Sequence, residues 1–449
     1  MLIIKKIIIF FTLILSLSLC SINFSVLAAE TEQLSTEQYI AQVDTLAQSD
    51  LETLHYGKIV ALSNAIIIQR TLYPSETLVK TYLLLANVAS NKGEFETAFQ
   101  FIQDGLAIST LNQQTELDLQ ITLASIHSAK NQAKALLSTA ETIIDRQNIK
   151  QITPYYLLAL TYRSLAYFML NQHKNGLSDL QMILDAAENN PDFAKNIALL
   201  SVLAKVYFYL GDYQATLTLQ LKILTLRFEL SKLGNVNQTY QHIANTYYRL
   251  HRFDDAYNAY WEAKKFAKNK QAPIYVAQAT QGLGLTLFQQ KHYAEAEVTI
   301  QQANSIFYQH NLAKPYLETL VLLAQISDAT GQPNDTISSL LAAEKIAKNI
   351  ELTGDYTILY QMLAQLYFSK GELNKAYYWQ KEFSNSILKT NKSMHYHDKA
   401  ATLAFLNAEK VSHDDTQNTS DQSTDEGIKT TISSTTSIAA SSQQSIIYS

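Results

Sequence analysis

The sequence contains few of the residues that break helices or cross-link chains. Its 449 residues include 12 glycines, 6 prolines and one cysteine, Cys20. So few helix-breaking residues argue against a turn-rich β sandwich and favour long helices. If the N-terminal segment that carries Cys20 is removed, the remaining chain has no thiol for disulfides, thiolate catalysis or cysteine metal sites.

The chain also lacks an excess of positive charge. It has 35 basic and 40 acidic side chains, for a net charge of −5. Such a balance provides no basic surface for a phosphate backbone, which argues against nucleic acid as a partner. Because 47% of the residues are hydrophobic and a single core rarely exceeds roughly 250–300 residues, several domains or a repeat array are expected.

The N-terminus has the pattern of an export signal. Lys5 and Lys6 precede an uncharged run from residue 7 to 19, and Val26, Leu27 and Ala28 fit the small-x-small cleavage rule. We therefore expect residues 1–29 to be a signal peptide and the mature protein to be periplasmic or secreted. An uncleaved inner-membrane anchor formed by residues 7–29 is the alternative, because no charge interrupts them.

The body of the chain is a repeat with a step of 40 residues. An aliphatic residue followed by a small one recurs at Leu203-Ala204, Ile243-Ala244, Leu283-Gly284, Leu323-Ala324, Leu363-Ala364 and Leu403-Ala404. A turn signal follows seven or eight positions after the small residue, as at Gly211 and Tyr213. A second small or short residue comes next, as at Thr216. Such periodicity predicts stacked supersecondary units that share one continuous core.

This pattern resembles the tetratricopeptide repeat, whose signature places a small residue, a tyrosine, a glycine-aromatic turn and a second alanine at these offsets. The copies starting near residues 78, 197, 237, 277 and 357 match well, and those near 116, 157 and 317 match less well. The family's usual repeat is about 34 residues. The resemblance implies an all-α fold, a right-handed α-solenoid of antiparallel helix pairs.

The expected organisation has five parts. After the signal peptide, residues 30–77 are predicted to form a helical N-terminal cap and residues 78–390 the solenoid. Residues 391–411 are predicted to form a C-terminal capping helix, as repeat arrays require. The Ser/Thr-rich residues 412–449 are predicted to be disordered, because they have too little apolar surface to fold.

The sequence carries no recognisable catalytic or cofactor-binding motif, so we expect no enzymatic activity, no cofactor and no metal site. His395 and His397 would point apart on a helix, which favours a solvated face over a metal site. His173, His251 and His292 lie at repeat turns and are predicted to be exposed.

In arrays of this family, the first helix of each unit lines the concave surface. One position on that face gives a column of aromatic residues with a gap at Asp328: Phe168, Phe208, Tyr248, Phe288 and Phe368. Neighbouring positions give mostly amides: Lys205, Gln241, Asn245, Arg249, Gln281, Gln325, Gln361 and Gln365. Aromatic and amide groups together suit a peptide backbone. The alternative for the aromatic residues is packing between neighbouring helices alone.

Two functional hypotheses follow. The first is an exported, non-enzymatic scaffold that binds a protein or peptide partner in its concave groove. The second arises because such arrays resemble the extracytoplasmic sensor regions of bacterial diguanylate cyclases and histidine kinases. The chain would then be a detached sensor that regulates a membrane signalling enzyme through a partner. Only Lys205 and Arg249 supply positive charge on the predicted groove, fewer than the two-carboxylate clamp of some family members needs.

Overall fold

The computed structural model describes residues 35–48, 56–109, 111–146, 153–188, 191–349 and 357–391. These residues form eighteen α-helices and no strand. The helices are α1 (Thr36–Gln48), α2 (Tyr56–Ile68), α3 (Ser75–Lys92), α4 (Phe95–Leu106), α5 (Gln113–Ala129), α6 (Ala133–Asp145), α7 (Pro154–Met169), α8 (His173–Glu188), α9 (Ile197–Leu210), α10 (Tyr213–Glu229), α11 (Val236–Arg249), α12 (Phe253–Asn269), α13 (Pro273–Gln289), α14 (Tyr293–Gln309), α15 (Ala313–Ala329), α16 (Pro333–Asn349), α17 (Thr357–Ser369) and α18 (Leu373–Asn391).

From α3 onward the helices are arranged as eight units, each with an odd-numbered first helix and an even-numbered second helix. The two helices of a unit pack against each other, and successive units stack. The prediction of an all-α solenoid is confirmed. The predicted signal peptide, the predicted C-terminal capping helix beyond residue 391, the predicted tail and the histidines predicted to lie on a solvated face, at 395 and 397, lie outside the described residues. Within the part of the chain that the structure describes, no helix is both long and apolar enough to cross a membrane.

The turn inside each unit recurs with the period of 40. One residue of this turn has a positive φ in every unit, at Gly93, Asn131, Asn171, Gly211, His251, Lys291, Gly331 and Gly371. From residue 131 onward the step is 40. The following residue closes the helix: in the fifth unit, the amide of Arg252 donates to the carbonyl of Tyr247 at 2.9 Å. This is the hydrogen bond of a Schellman motif, which satisfies carbonyls at a helix C-terminus.

The small residues of the repeat lie where the two helices of a unit cross, as expected. Ala244 is fully buried. A Cβ at Gly284 would lie 2.5 Å from Ile300 of the paired helix α14. Gly282 lies where α13 crosses α12 of the preceding unit, and a Cβ there would lie 2.3 Å from the ring of Tyr260. These residues are small because the helices approach too closely for a larger side chain.

Proline positions agree with the helix bounds. Pro154, Pro273 and Pro333 are each the first residue of a helix, where a missing amide hydrogen is tolerated. Pro315 lies inside the first turn of α15, whereas the sequence places it between units. No proline lies in the middle of a described helix.

The prediction of exposed turn histidines is correct for His251 and His292. It is wrong for His173, which is only 6% exposed. His173 occupies the repeat position that Tyr213, Phe253 and Tyr293 hold in later units. The centroid of its ring lies 5.7 Å from that of Phe168, so the imidazole packs here as the tyrosine and phenylalanine rings do in later units.

The solenoid turns far enough for its first unit to touch the sixth. The hydroxyl of Tyr275 on α13 donates to the carbonyl of Ser90 on α3 at 2.8 Å. A Cβ at Gly93 would lie only 3.0 Å from Ile274, and Phe95 packs beside the buried Ala272 and Tyr275. We call this contact between α3 and α13 the clasp. It completes one turn of the array in five unit steps.

Candidate functional site

A cavity of about 450 Å³ lies on the inner side of this turn. Most of its walls come from the first helices α5, α7, α9, α11, α13 and α15. Gly93 and Phe95 add the clasp side of the wall. A volume of this size falls in the range of about 300–1,000 Å³ that is typical of ligand pockets.

Side-chain amides line one side of the cavity. Gln238, Gln241 and Asn245 come from α11, and Gln278 and Gln281 come from α13. The α11 residues are spaced three and four apart, and the α13 residues three apart. Each set therefore shares one helix face.

Some of these amides are held by protein partners and others are not. Tyr260 donates to Asn245 Oδ1 at 2.7 Å, and Gln238 Nε2 donates to the Tyr275 hydroxyl at 2.7 Å. Within the described residues, Gln241 and Gln278 make no side-chain hydrogen bond. Their donors and acceptors are available to a ligand.

Lys205 provides positive charge on the α9 side of the cavity. Its Nζ donates to Ser128 Oγ of α5 at 3.0 Å, and it forms no ion pair within the described residues. Burial lowers the pKa of Lys205 to about 8, because the charged form loses solvation. The amine of Lys205 still keeps its proton at neutral pH, and no carboxylate of the described residues pairs with it.

His242, on α11, is neutral beside Lys205, so it neither adds to the positive charge there nor balances it. Its side chain reaches water inside the cavity. The pKa of His242 is lowered by desolvation and by the charges of Lys205 and Arg227. The field that disfavours an imidazolium there favours an anion.

Glu318, on α15, provides the opposite charge. Its Oε2 accepts a long hydrogen bond of 3.4 Å from Gln281 Nε2. Burial raises the pKa of Glu318 to about 7, although Lys314 and the bond from Gln281 act in the other direction. This carboxyl therefore ionises less readily than an exposed glutamate, and it lines the same cavity as Lys205.

The structure brings five of the predicted groove residues together at this cavity: Lys205, Phe208, Gln241, Asn245 and Gln281. The guanidinium of Arg249 lies 5.9 Å from the ring of Phe208. Gln325, Gln361 and Gln365 lie farther along the array, on α15 and α17, and do not line the cavity.

The aromatic column mostly packs within its own units. Each ring contacts the residue five positions later, with centroids 5.3–5.7 Å apart: Phe168 with His173, Phe208 with Tyr213, Tyr248 with Phe253, and Phe288 with Tyr293. Phe168 is only 3% exposed, and the Tyr248 hydroxyl accepts from Gln289 at 2.8 Å. Phe368 is 68% exposed, and of the column only Phe208 lines the cavity.

Several cavity residues were not predicted from the sequence, namely Gln238, His242, Tyr275, Gln278 and Glu318. A signal for three of them was present. Gln238, Gln278 and Glu318 form a polar column with the same 40-residue step, beginning near the N-terminal end of each first helix.

No protein-family model matches the chain, and no curated protein matches it. Solved structures do. A signal transduction ATPase with numerous domains from Pyrococcus horikoshii, which carries a tetratricopeptide repeat sensor, is 14% identical with a TM-score of 0.51. That match covers 80% of this chain and 53% of the other.

Two further structures resemble the chain more distantly. A Rap protein complexed with Competence and Sporulation Factor is 14% identical with a TM-score of 0.46, covering 72% of this chain and all of the other. MamA is 20% identical with a TM-score of 0.32, covering 42% and 96%. The expected resemblance to tetratricopeptide-repeat proteins is confirmed at the level of the fold.

Proposed function

We propose that this chain is an exported, non-enzymatic scaffold that binds a protein or peptide partner in its concave groove, at the cavity between α5 and α15. The observation that supports this most is the pair of amides, Gln241 and Gln278, that face the cavity without a hydrogen-bond partner among the described residues. A primary amide offers both donors and acceptors, as does a peptide backbone, so the two can pair without a charged group.

Two other features support a ligand in this position. The clasp and the stacked first helices hold the cavity walls, so little ordering is required when a ligand binds. Lys205 and Glu318 lose solvation on the cavity wall. A ligand that places an opposite charge beside each of them would offset this cost.

Export is the other part of the proposal. It rests on Lys5, Lys6, the apolar run that follows and the cleavage pattern ending at Ala28. N-terminal sequencing of the protein from cells should begin at residue 29 or 30. An intact Met1 in the membrane fraction would contradict cleavage.

The binding proposal can be tested with a library of twelve-residue peptides displayed on phage and panned against the purified protein. The double variant Gln241→Ala with Gln278→Ala should lose most of the selected binding. It should keep its melting temperature, because neither side-chain amide makes a hydrogen bond within the described residues. Gln302→Ala with Gln309→Ala removes two exposed amides from the second helix α14 and should bind normally.

If both double variants bind a selected peptide equally well, the cavity is not its binding site. If neither a displayed peptide nor a free peptide is retained, the proposed function is wrong. The partner captured with a selected sequence also distinguishes the two functional hypotheses. A membrane signalling enzyme would indicate the detached sensor module, and any other envelope protein would indicate the scaffold.

A further inference from the structure

Lys205 and Glu318 carry opposite charges on the cavity wall and form no ion pair with each other or with another described side chain. Lys314, four residues before Glu318 on α15, also lines the cavity and lowers the pKa of Glu318 through its charge. Lys205 bonds only to Ser128 Oγ, and Glu318 bonds only to Gln281 Nε2, among the described residues. A charge that loses solvent without gaining a counter-ion carries a desolvation cost. The same arrangement is favourable once a ligand supplies both counter-charges.

The geometry of the array places the two charges across the cavity from each other. One turn takes the five unit steps from α3 to α13. The three steps from α9, which carries Lys205, to α15, which carries Glu318, are therefore more than half a turn. Between them lie α11 and α13, which present Gln241 and Gln278.

The size of the cavity limits the ligand. About 450 Å³ suits a drug-sized molecule, which corresponds to a peptide of about four residues rather than a helix.

We infer that the cavity binds a short zwitterionic ligand, a free peptide of about four residues, with its carboxylate at Lys205 and its ammonium at Glu318. This inference rests on the proposed peptide-binding function and specifies its ligand class. Arg227 adds to the positive potential at the carboxylate end, since its charge, like that of Lys205, lowers the pKa of His242. The amides of α11 and α13 pair with the peptide groups between the two ends.

The inference can be tested with four pools of random tetrapeptides incubated with the purified full chain and identified by mass spectrometry. One pool has both ends free, one is amidated at its C-terminus, one is acetylated at its N-terminus, and one is blocked at both ends. We expect retention of the free pool and loss of the other three. The twenty free amino acids, screened one at a time by thermal shift, should not bind, because their two charges are too close together to reach both side chains.

A retained tetrapeptide is then measured by calorimetry against two variants. Charge-assisted hydrogen bonds are strong enough that blocking one end should weaken binding by about tenfold or more. In Lys205→Met, amidation should no longer matter, and in Glu318→Gln, acetylation should no longer matter. Lys222→Met and Glu229→Gln, two exposed charges on α10, should behave as the unaltered protein does.

Each outcome decides between the proposals. Equal retention of all four pools overturns this inference and leaves the proposed peptide-binding function intact. Retention of no pool overturns it as well, and the displayed twelve-residue peptides then test the proposed function separately. Because the blocked pools act on the unaltered protein, the inference stays testable even if a variant does not fold.

Discussion

The hydroxyl of Tyr275 donates to the backbone carbonyl of Ser90 at 2.8 Å, joining two residues 185 positions apart. The same hydroxyl accepts from Gln238 at 2.7 Å, so it links α3, α11 and α13. Burial raises the pKa of Tyr275 above its usual range, so the hydroxyl keeps its proton and remains a donor. This hydrogen bond joins the first and sixth units of the array, and Tyr275 forms part of the cavity wall there.

Tyr275→Phe should weaken this closure. The change removes one donor and one acceptor at a buried site and leaves the Ser90 carbonyl without this partner. We expect a loss of about 1–3 kcal/mol in the free energy of unfolding. Hydrogen exchange should increase at the end of α3, around residues 86–93. Tyr308→Phe, at a tyrosine that is 66% exposed, is the control. Unchanged exchange in α3 would show that the clasp does not depend on this bond.

The turn inside each unit gives a second prediction. Gly331 has a φ of 75°, and an added Cβ there would meet nothing within 4 Å. Gly331→Ala therefore tests the backbone alone and should destabilise the protein by about 1 kcal/mol, because the left-handed region is unfavourable for residues with a Cβ.

The reverse change at the equivalent position should stabilise. Lys291 is exposed and has a φ of 65°, so Lys291→Gly should relieve the same strain and raise the melting temperature. Urea unfolding of the two variants measures both signs. Shifts of the same sign would mean that the positive φ is not what determines stability at this turn.

Helix crossing gives a third prediction. A Cβ at Gly282 would lie 2.3 Å from the buried ring of Tyr260, so Gly282→Ala should cost about 1–3 kcal/mol through overpacking. Gly57 lies in α2 with nothing within 4 Å of an added Cβ. Gly57→Ala should stabilise by up to about 1 kcal/mol, since alanine favours a helix. Thermal melts of both variants check this, and a stable Gly282→Ala protein would contradict the close crossing.

Much of the fold could be predicted because its determinants are local. The 40-residue step of small residues placed Ala244 and Gly284 at helix crossings, and the turn signals at Gly211 and Lys291 coincide with the positive-φ residues. These features depend on residues a few positions apart in one unit. A single sequence therefore carries them in full.

The clasp and the cavity could not be predicted in the same way. Contact between Ser90 and Tyr275 depends on the small rotation between units, summed over five steps, and no local pattern records that sum. The meeting of Lys205 and Glu318 in one cavity depends on it too. The aromatic column was visible in the sequence, but periodicity alone does not say whether Phe168 or Phe288 faces a groove or a turn.

The fourth prediction uses the pH dependence of stability at Glu318, whose pKa is raised from 4.5 to about 7. Below about pH 4.5 the carboxyl is protonated in both the folded and unfolded chain, so it costs nothing. Between pH 4.5 and 7 the unfolded chain releases the proton and the folded chain keeps it, which lowers stability as pH rises. Glu318→Gln should match the unaltered protein at pH 4 and be more stable at pH 8, by at most about 3 kcal/mol.

Urea unfolding at the two pH values measures this difference. Glu229→Gln, at an exposed glutamate of α10, is the control. A gain of equal size at both pH values would mean that Glu318 destabilises the fold by its packing and not by its charge.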